Sequence, residues 1–341
     1  MVNFLNIGVI GLGEQSWDNL LPSLANIKNA NIAAVCDIND TRLEAPMRNY
    51  GAKGYKDYSE MLARENLDAL VVASYPAVHE AVLREALPRH IPTFIEKPPT
   101  LTTGALLDII TLNKEKVITA VGLNFGFADP VQSIKSIMGK PEFGDLQYVR
   151  ACHYSNKPKD PLWGLPSGCR SFLLAQAIHP IGLLSEFGTF SDQPNIYVDG
   201  NNKGMIFRVA QNAIDKKGHV FAMELVTCSV APFFEWQLEV IGSGGVIIKV
   251  NSLWEIEVYS QHSNRTLLDS SKWWRDTWHP SPVSGGYRRS GYTNQLEMFF
   301  ETITNPGGNT DNIRTLEDML PIYKLMDAME NTYSARSNFR E

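Results

Sequence analysis

The sequence predicts an α/β protein in two parts: a doubly wound parallel sheet, then an α+β domain on an open, largely antiparallel sheet. Three observations carry that expectation. Short apolar runs alternate with amphipathic stretches up to about residue 125, a glycine-rich turn follows the first run, and a period-two pattern then replaces the earlier one. The expected domains are 1–125 and 126–341. A chain of 341 residues is long for one core and suits two.

In the first part the apolar runs are 7–10, 32–36, 69–73, 93–95 and 117–121, with helical patterns such as 77–87 and 104–112 between them. Strands apolar on both faces, alternating with helices, belong to a parallel sheet covered on each side. In the second part Phe234, Trp236, Leu238 and Val240 alternate with Glu235, Gln237 and Glu239, and Trp254, Ile256 and Val258 alternate with Glu255, Glu257 and Tyr259. Such alternation marks strands with one buried face. Gly242-Ser243-Gly244-Gly245 supplies a turn between two of them. Helices are expected around 130–139, 171–187, 294–303 and 315–329.

Composition narrows the function classes. A net charge of −6, with no basic run, disfavours nucleic acid as a partner. Cys36, Cys152, Cys169 and Cys228 form no CxxC pair. Reduced thiols of a cytoplasmic protein, with no metal site, are the simplest reading. The first apolar run lacks a basic leader and is broken by Gly11 and Gly13, which fits a buried strand better than a signal peptide. No apolar stretch approaches the ~20 residues of a spanning helix, so no membrane partner is expected.

The stretch "NIGVIGLGEQSW" (6–17) places Gly11 and Gly13 between a strand and a helix, and the second strand ends in Asp37. In that arrangement backbone N–H groups at the helix start hold a pyrophosphate while the carboxylate takes ribose hydroxyls. Ser16 stands where a third glycine is usual; that glycine serves helix–strand packing, which a small serine also permits. Glu14 is expected to turn its side chain to solvent. Asp37 should favour NAD over NADP, by repelling a 2′-phosphate; Arg42, five residues on, is expected on the following helix.

Three further segments sharpen the reading: "FIEKPPTLT" (94–102), "GLNFGF" (122–127) and "SFLLAQAIHPIGLLSEFG" (171–188). With the glycine turn and Asp37, they resemble the Gfo/Idh/MocA family of nicotinamide-dependent oxidoreductases over essentially the whole chain. The Glu96-Lys97-Pro98 motif is the most specific item, and the C-terminal helices resemble the family's ending. The resemblance implies an N-terminal Rossmann domain and a C-terminal domain for substrate binding and oligomerisation. It implies cofactor contacts from Gly11, Gly13, Glu14, Gln15, Ser16, Asp37, Ser74, Glu96, Lys97 and Asn124. It also places Lys97 beside the reactive carbon of the nicotinamide and His179 facing the substrate, in a site with Asn124, Tyr154, Trp163, Arg170 and Gln176. Two departures stand out. Phe125 and Gly126 replace a pair of arginines, and Ala175 replaces the aspartate that many members carry one helical turn before the histidine.

The chemistry asks for such groups. Moving a hydride from an alcohol carbon requires removal of the hydroxyl proton. A desolvated lysine at a strand end exchanges a proton nearer neutrality than an exposed one. The expected function is an NAD(P)-dependent oxidoreductase acting on a sugar, polyol or related small polar compound, with Lys97 as the main proton-transfer group. The alternatives are a redox-neutral epimerase or lyase with tightly bound NAD, and a cofactor-binding sensor degenerate at Ala175. One face of the second sheet would be left wide and partly apolar, which predicts a homodimer or homotetramer through it. The Trp273, Trp274 and Trp278 group suits a substrate lid, an interface or ordinary packing.

Overall fold

A computed structural model describes residues 4–191, 193–201, 204–252, 255–260, 274–278, 286–305 and 310–337. The chain divides into two units, one of Met1–Asn124 with Gly286–Leu320 and the other of Phe125–Gly285 with Pro321–Glu341.

In the first unit, strands β1 (Leu5–Ile10), β2 (Ala30–Cys36), β3 (Lys53–Tyr55), β4 (Ala69–Val72), β5 (Thr93–Glu96) and β6 (Thr119–Gly122) form a parallel sheet in the order β3-β2-β1-β4-β5-β6. The order reverses between β1 and β4, which opens a crevice at their C-terminal ends. Every residue of β4, β5 and β6 is buried, as their apolar runs require. The helices start where side chains can cap them: Asn39 Oδ1 accepts the Thr41 N–H at 3.0 Å, and Thr102 Oγ1 accepts the Ala105 N–H at 3.1 Å. The left-handed Gly51 (φ 68°) ends the helix Asp40–Tyr50.

The expected second domain, 126–341, is not continuous. Helix Tyr292–Thr304 packs Leu296, Phe299 and Phe300 into the same core as Leu5, Ile7, Val9 and Phe94, and Ile313 joins them. The Phe94 and Phe299 rings lie 6.0 Å apart, and the Val121 N–H donates to the Arg314 carbonyl at 2.6 Å. The helix has an apolar face that must be buried, and the parallel sheet provides the surface.

The second unit holds β7 (Leu146–Tyr154), β8 (Thr189–Phe190), β9 (Asn195–Asn201), β10 (Gly204–Ile214), β11 (Val220–Cys228), β12 (Glu235–Gly242), β13 (Val246–Asn251), β14 (Glu255–Ser260) and β15 (Trp274–Trp278). They run β15-β14-β13-β12-β7-β11-β10-β8, with β9 also on β10. Among the described pairs, β7–β11 is parallel and the others antiparallel. Trp236, Leu238 and Val240 face the core as expected, but Phe234 is 60% exposed because β12 starts one residue later. Trp254 and Trp273 lie outside the described residues; Trp278 closes β15. The expected helix at 171–187 is three pieces: an α turn Gly168–Phe172, a π turn Leu173–Ala177 and a helix Ile178–Leu184. Among the described residues, no helix is long and apolar enough to cross a membrane.

Candidate functional site

The turn after β1 is built for close approach. Gly11 has φ 84°, and a Cβ there would lie 2.1 Å from the Ala73 carbonyl oxygen at the end of β4. Only glycine fits. Gly13 differs: a Cβ on it would meet no protein atom within 4 Å. The protein's own packing therefore does not require glycine at position 13; a ligand approaching the backbone there does. Ser16 is buried and its hydroxyl donates to the Gly11 carbonyl at 2.5 Å. That bond explains why serine replaces the third glycine: it is small enough for the packing and leaves no unsatisfied group. Glu14 is exposed, as expected.

Asp37 is 7% exposed at the end of β2. Its Oδ2 accepts the Leu12 N–H at 2.8 Å and its Oδ1 the Asn39 N–H at 2.9 Å. Arg42, on the helix Asp40–Tyr50, lies 3.6 Å from Oδ2. The carboxylate is thus fixed against the glycine turn, with acceptor capacity left for hydroxyl donors. Open space at Gly13, the N-terminal N–H groups of the adjoining helix and this acidic strand end fit a dinucleotide.

Two neighbouring strand ends join the turn. The exposed Ser74 donates its N–H to His79 Nε2 at 2.8 Å, so the His79 proton sits on Nδ1 and is donated to the Pro98 carbonyl at 3.0 Å. Burial pushes His79 down to about 4, which keeps the ring neutral and the bridge intact at neutral pH. The sequence reading missed His79; its place one turn into a helix after β4 was the available signal. Lys97 is half-buried directly after β5, and the Lys97–Pro98 peptide is cis. Burial lowers the Lys97 pKa, while the Glu96 carboxylate opposes that shift.

Glu96 is 5% exposed. Burial pushes its carboxyl up to about 7, against the opposing pull of Lys97 and of hydrogen bonds from Gln15 and the Lys97 backbone. Gln15 Nε2 donates to Glu96 Oε1 at 3.1 Å, and Asn19 Nδ2 donates to Gln15 Oε1 at 3.0 Å. Gln15 also hydrogen-bonds the Tyr292 hydroxyl, whose pKa is pushed up to about 12 by burial and by Glu96. Tyr292 was not foreseen, because it comes from the returning C-terminal segment. Asn124 is buried and its Nδ2 donates to the Ser290 carbonyl at 2.8 Å. It ties that segment to the end of β6, a structural task the resemblance did not imply.

In the second unit, the π turn Leu173–Ala177 immediately precedes the helix carrying His179. Such turns are frequent at functional sites. The His179 ring stacks on Phe125 with centroids 4.8 Å apart and planes 26° apart, and Phe125 stacks in turn on Trp236 at 5.1 Å. One of the positions where arginines were expected therefore supports the imidazole with an aromatic face. At the other, Gly126 is required by packing: a Cβ would lie 2.4 Å from Glu186 Oε1, the carboxylate paired with Lys135 at 2.7 Å. Ala175 is buried and Gln176 half-buried on the π turn.

The other expected substrate residues separate. Tyr154 lies on the sheet face shared with Arg150 and Cys152, whereas its neighbour His153 lies on the face of Ala151 and pairs with Trp236. Successive strand residues point to opposite faces, so Tyr154 is on the side away from the His179 stack. His153 is the histidine on that side, buried, with Nδ1 3.2 Å from Thr227 Oγ1. Arg170 is 6% exposed, with Nη1 2.7 Å from Asp327 Oδ1 and its guanidinium over the Tyr323 ring at 5.8 Å. It clamps the last helix, Met319–Ser337, rather than fronting a substrate. Trp163 sits in the left-handed region (φ 55°), next to the left-handed Gly164. That conformation costs a bulky residue about 1 kcal/mol or more and marks a constrained loop. A cavity of about 250 Å³ opens on the Arg150 face, lined by Gln237, Glu239, Lys249 and Glu257 among others. It lies across the sheet from His153 and is not the chemical site.

Fold and strand-end chemistry together define a dinucleotide-binding protein of the Rossmann type. The family model for "Oxidoreductase family, NAD-binding Rossmann fold" matches residues 5–123. Over its whole length the chain is similar to a dehydrogenase from Chromobacterium violaceum, with a TM-score of 0.91, 29% identity, and coverage of 100% of this chain and 98% of that one. An oxidoreductase from Agrobacterium radiobacter, solved with NAD+, L-tartaric acid and magnesium, shares the fold at a TM-score of 0.73 and 18% identity, covering 97% and 96%. Inositol 2-dehydrogenase of Renibacterium salmoninarum is 31% identical over 146 residues, 42% of this chain and 44% of the relative. The match thus spans less than half of that curated relative. The chain belongs to the Gfo/Idh/MocA family of oxidoreductases.

Proposed function

We propose that the protein is an NAD-dependent dehydrogenase or reductase acting on a polyol, a sugar or a related small polar compound. The observation that carries this reading is Lys97, a lysine at the C-terminal end of β5 whose ammonium is disfavoured by burial. When bound, the nicotinamide supplies the hydride acceptor or donor. Lys97, as the amine, takes the proton from a substrate hydroxyl, or as the ammonium returns it to a carbonyl. His179 contacts the substrate, held by its stack on Phe125. The similarity to an inositol 2-dehydrogenase supports a cyclic polyol as first substrate to try.

The test is a panel of polyols and sugars, myo-inositol included, incubated with NAD+ and followed by NADH fluorescence. Net reduction of NAD+ is expected with at least one cyclic polyol, and none with any member would sink the reading. Parallel titrations against tryptophan fluorescence should show tighter binding of NAD+ than of NADP+, because Asp37 at the strand end meets a 2′-phosphate with like charge. Tighter NADP+ binding would mean that Arg42 governs the site. A second reading rests on Ala175, which leaves the His179 helix without a carboxylate one turn back. It is a redox-neutral enzyme with retained NAD, and turnover without cofactor consumption would select it.

We also propose a homodimer or homotetramer through the open face of the second sheet. Tyr197, Ile206, Ile214 and Val220 are exposed there. Burying them against a second copy removes apolar area from water. Light scattering that returns a monomer mass at micromolar concentration would refute it. The four buried free thiols support a reducing, cytoplasmic compartment.

A further inference from the structure

We propose that Glu96 is the proton-exchange partner of Lys97: the two side chains share one mobile proton, which Glu96 takes from the ammonium and gives back to the amine. The role rests on how the carboxyl group is held. Oε1 accepts from Gln15 Nε2 at 3.1 Å and Oε2 from the Lys97 N–H at 3.3 Å. Gln15 is itself oriented by Asn19, so that its NH2 group, not its oxygen, faces Glu96. On the other side β6 closes the space, because Gly122 pairs with Glu96 and a Cβ there would lie 2.8 Å from Oε1.

The donors are therefore neutral amides, and the charge acting on the carboxyl group is that of Lys97. Of the titratable groups on the packed elements, Tyr292 from the helix Tyr292–Thr304 stays protonated, at about 12. His79 from the helix Pro76–Ala86 stays neutral, at about 4, and faces Lys97. A buried carboxylate without an arginine among those groups is not held as a fixed ion. Burial moves the carboxylic acid up and the ammonium down, so the charged pair and the neutral pair approach each other in free energy.

The step balances simply. An N–H bond of the ammonium breaks as an O–H bond of the carboxyl group forms, giving amine and carboxylic acid, with nothing oxidised or reduced. Lys97 is then reset for the next hydroxyl proton without exchanging with bulk water. Glu96 acts through Lys97 and positions its proton; it need not touch substrate. The catalytic use of this exchange rests on the reading of Lys97 given above, but the pairing itself does not.

The experiment uses the full chain without cofactor or substrate. Amines are acetylated with trace acetic anhydride across a pH series, and the Lys97 peptide is followed by mass spectrometry. In the wild type the Lys97 rate should rise in two steps, the lower one near neutral pH. In Glu96→Gln it should rise in one step, and at pH 7 be roughly threefold faster or more, since the carboxylate that favours the ammonium is gone. Infrared spectra of the wild type should show a protonated carboxyl band that disappears as pH rises through neutrality, and that Glu96→Gln lacks. A Lys97 curve unchanged by Glu96→Gln, or no such band in the wild type, overturns the proposal. The infrared measurement on the wild type decides the matter even if the variant folds poorly. Polyol inactivity combined with these two signatures would remove the dehydrogenase reading and leave the pairing in place.

Discussion

Lys97→Met should cost at least ~100-fold in turnover while leaving NAD affinity nearly intact. The figure is the low end for losing a positioned acid or base, and the methionine keeps the length and apolar stem of the lysine. Cofactor affinity should survive because the glycine turn, the Asp37 carboxylate and the His79 bridge from Ser74 to Pro98 do not depend on the ammonium. His179→Ala should cost less, since the imidazole is supported by the faces of Phe125 and Trp236 and not by a carboxylate at position 175. Steady-state kinetics on the first active polyol would check both. A near-wild-type rate for Lys97→Met with an inactive His179→Ala would exchange the two roles.

The second large effect separates two glycines three atoms of reasoning apart. Gly11→Ala places a methyl 2.1 Å from the Ala73 carbonyl oxygen in a backbone with φ 84°. The Ala73 N–H is bonded to the Ile10 carbonyl at 2.8 Å, so the carbonyl cannot retreat without parting β1 from β4. A loss of roughly 2–4 kcal/mol in stability is expected, from strain and overpacking together, along with loss of NAD binding. Gly13→Ala should melt like the wild type, because its Cβ meets no protein atom within 4 Å. It should nevertheless weaken NAD by at least ~10-fold, because the methyl occupies the approach to the backbone. Thermal melts beside NAD titrations measure this. Wild-type NAD affinity in Gly13→Ala would remove the open side of the turn from the cofactor site.

The parallel sheet was legible because its strands are apolar on both faces and punctuated by helices. β3 was missed: Lys53-Gly54-Tyr55 is three residues long and sits at the sheet edge, where no apolar run is needed. The glycine turn, Asp37 and Lys97 could be read because each is local, a turn or a strand end with its own chemistry. What joins them was not. Gln15 meets Glu96 across 81 residues, and Arg170 meets Asp327 across 157, and no periodicity encodes such pairings. Tyr154 and His153 show the limit within one strand. β7 carries polar and apolar residues on both faces, so its alternation does not say which side meets the helices, and a slip of one residue exchanges the two.

The return of Gly286–Leu320 to the first unit has a consequence for modularity. A fragment cut after residue 124 lacks Leu296, Phe299, Phe300 and Ile313, which fill the core of its sheet. At roughly 1.5–3 kcal/mol per buried side chain, their loss approaches the ~5–15 kcal/mol that holds a whole domain together. It also lacks Tyr292, and with it the hydroxyl against Gln15. The nucleotide-binding half is therefore not a detachable cassette. Recombination that exchanged substrate domains would have to splice at two points, near residues 124 and 286, and carry both ends of the gene's N-terminal unit together.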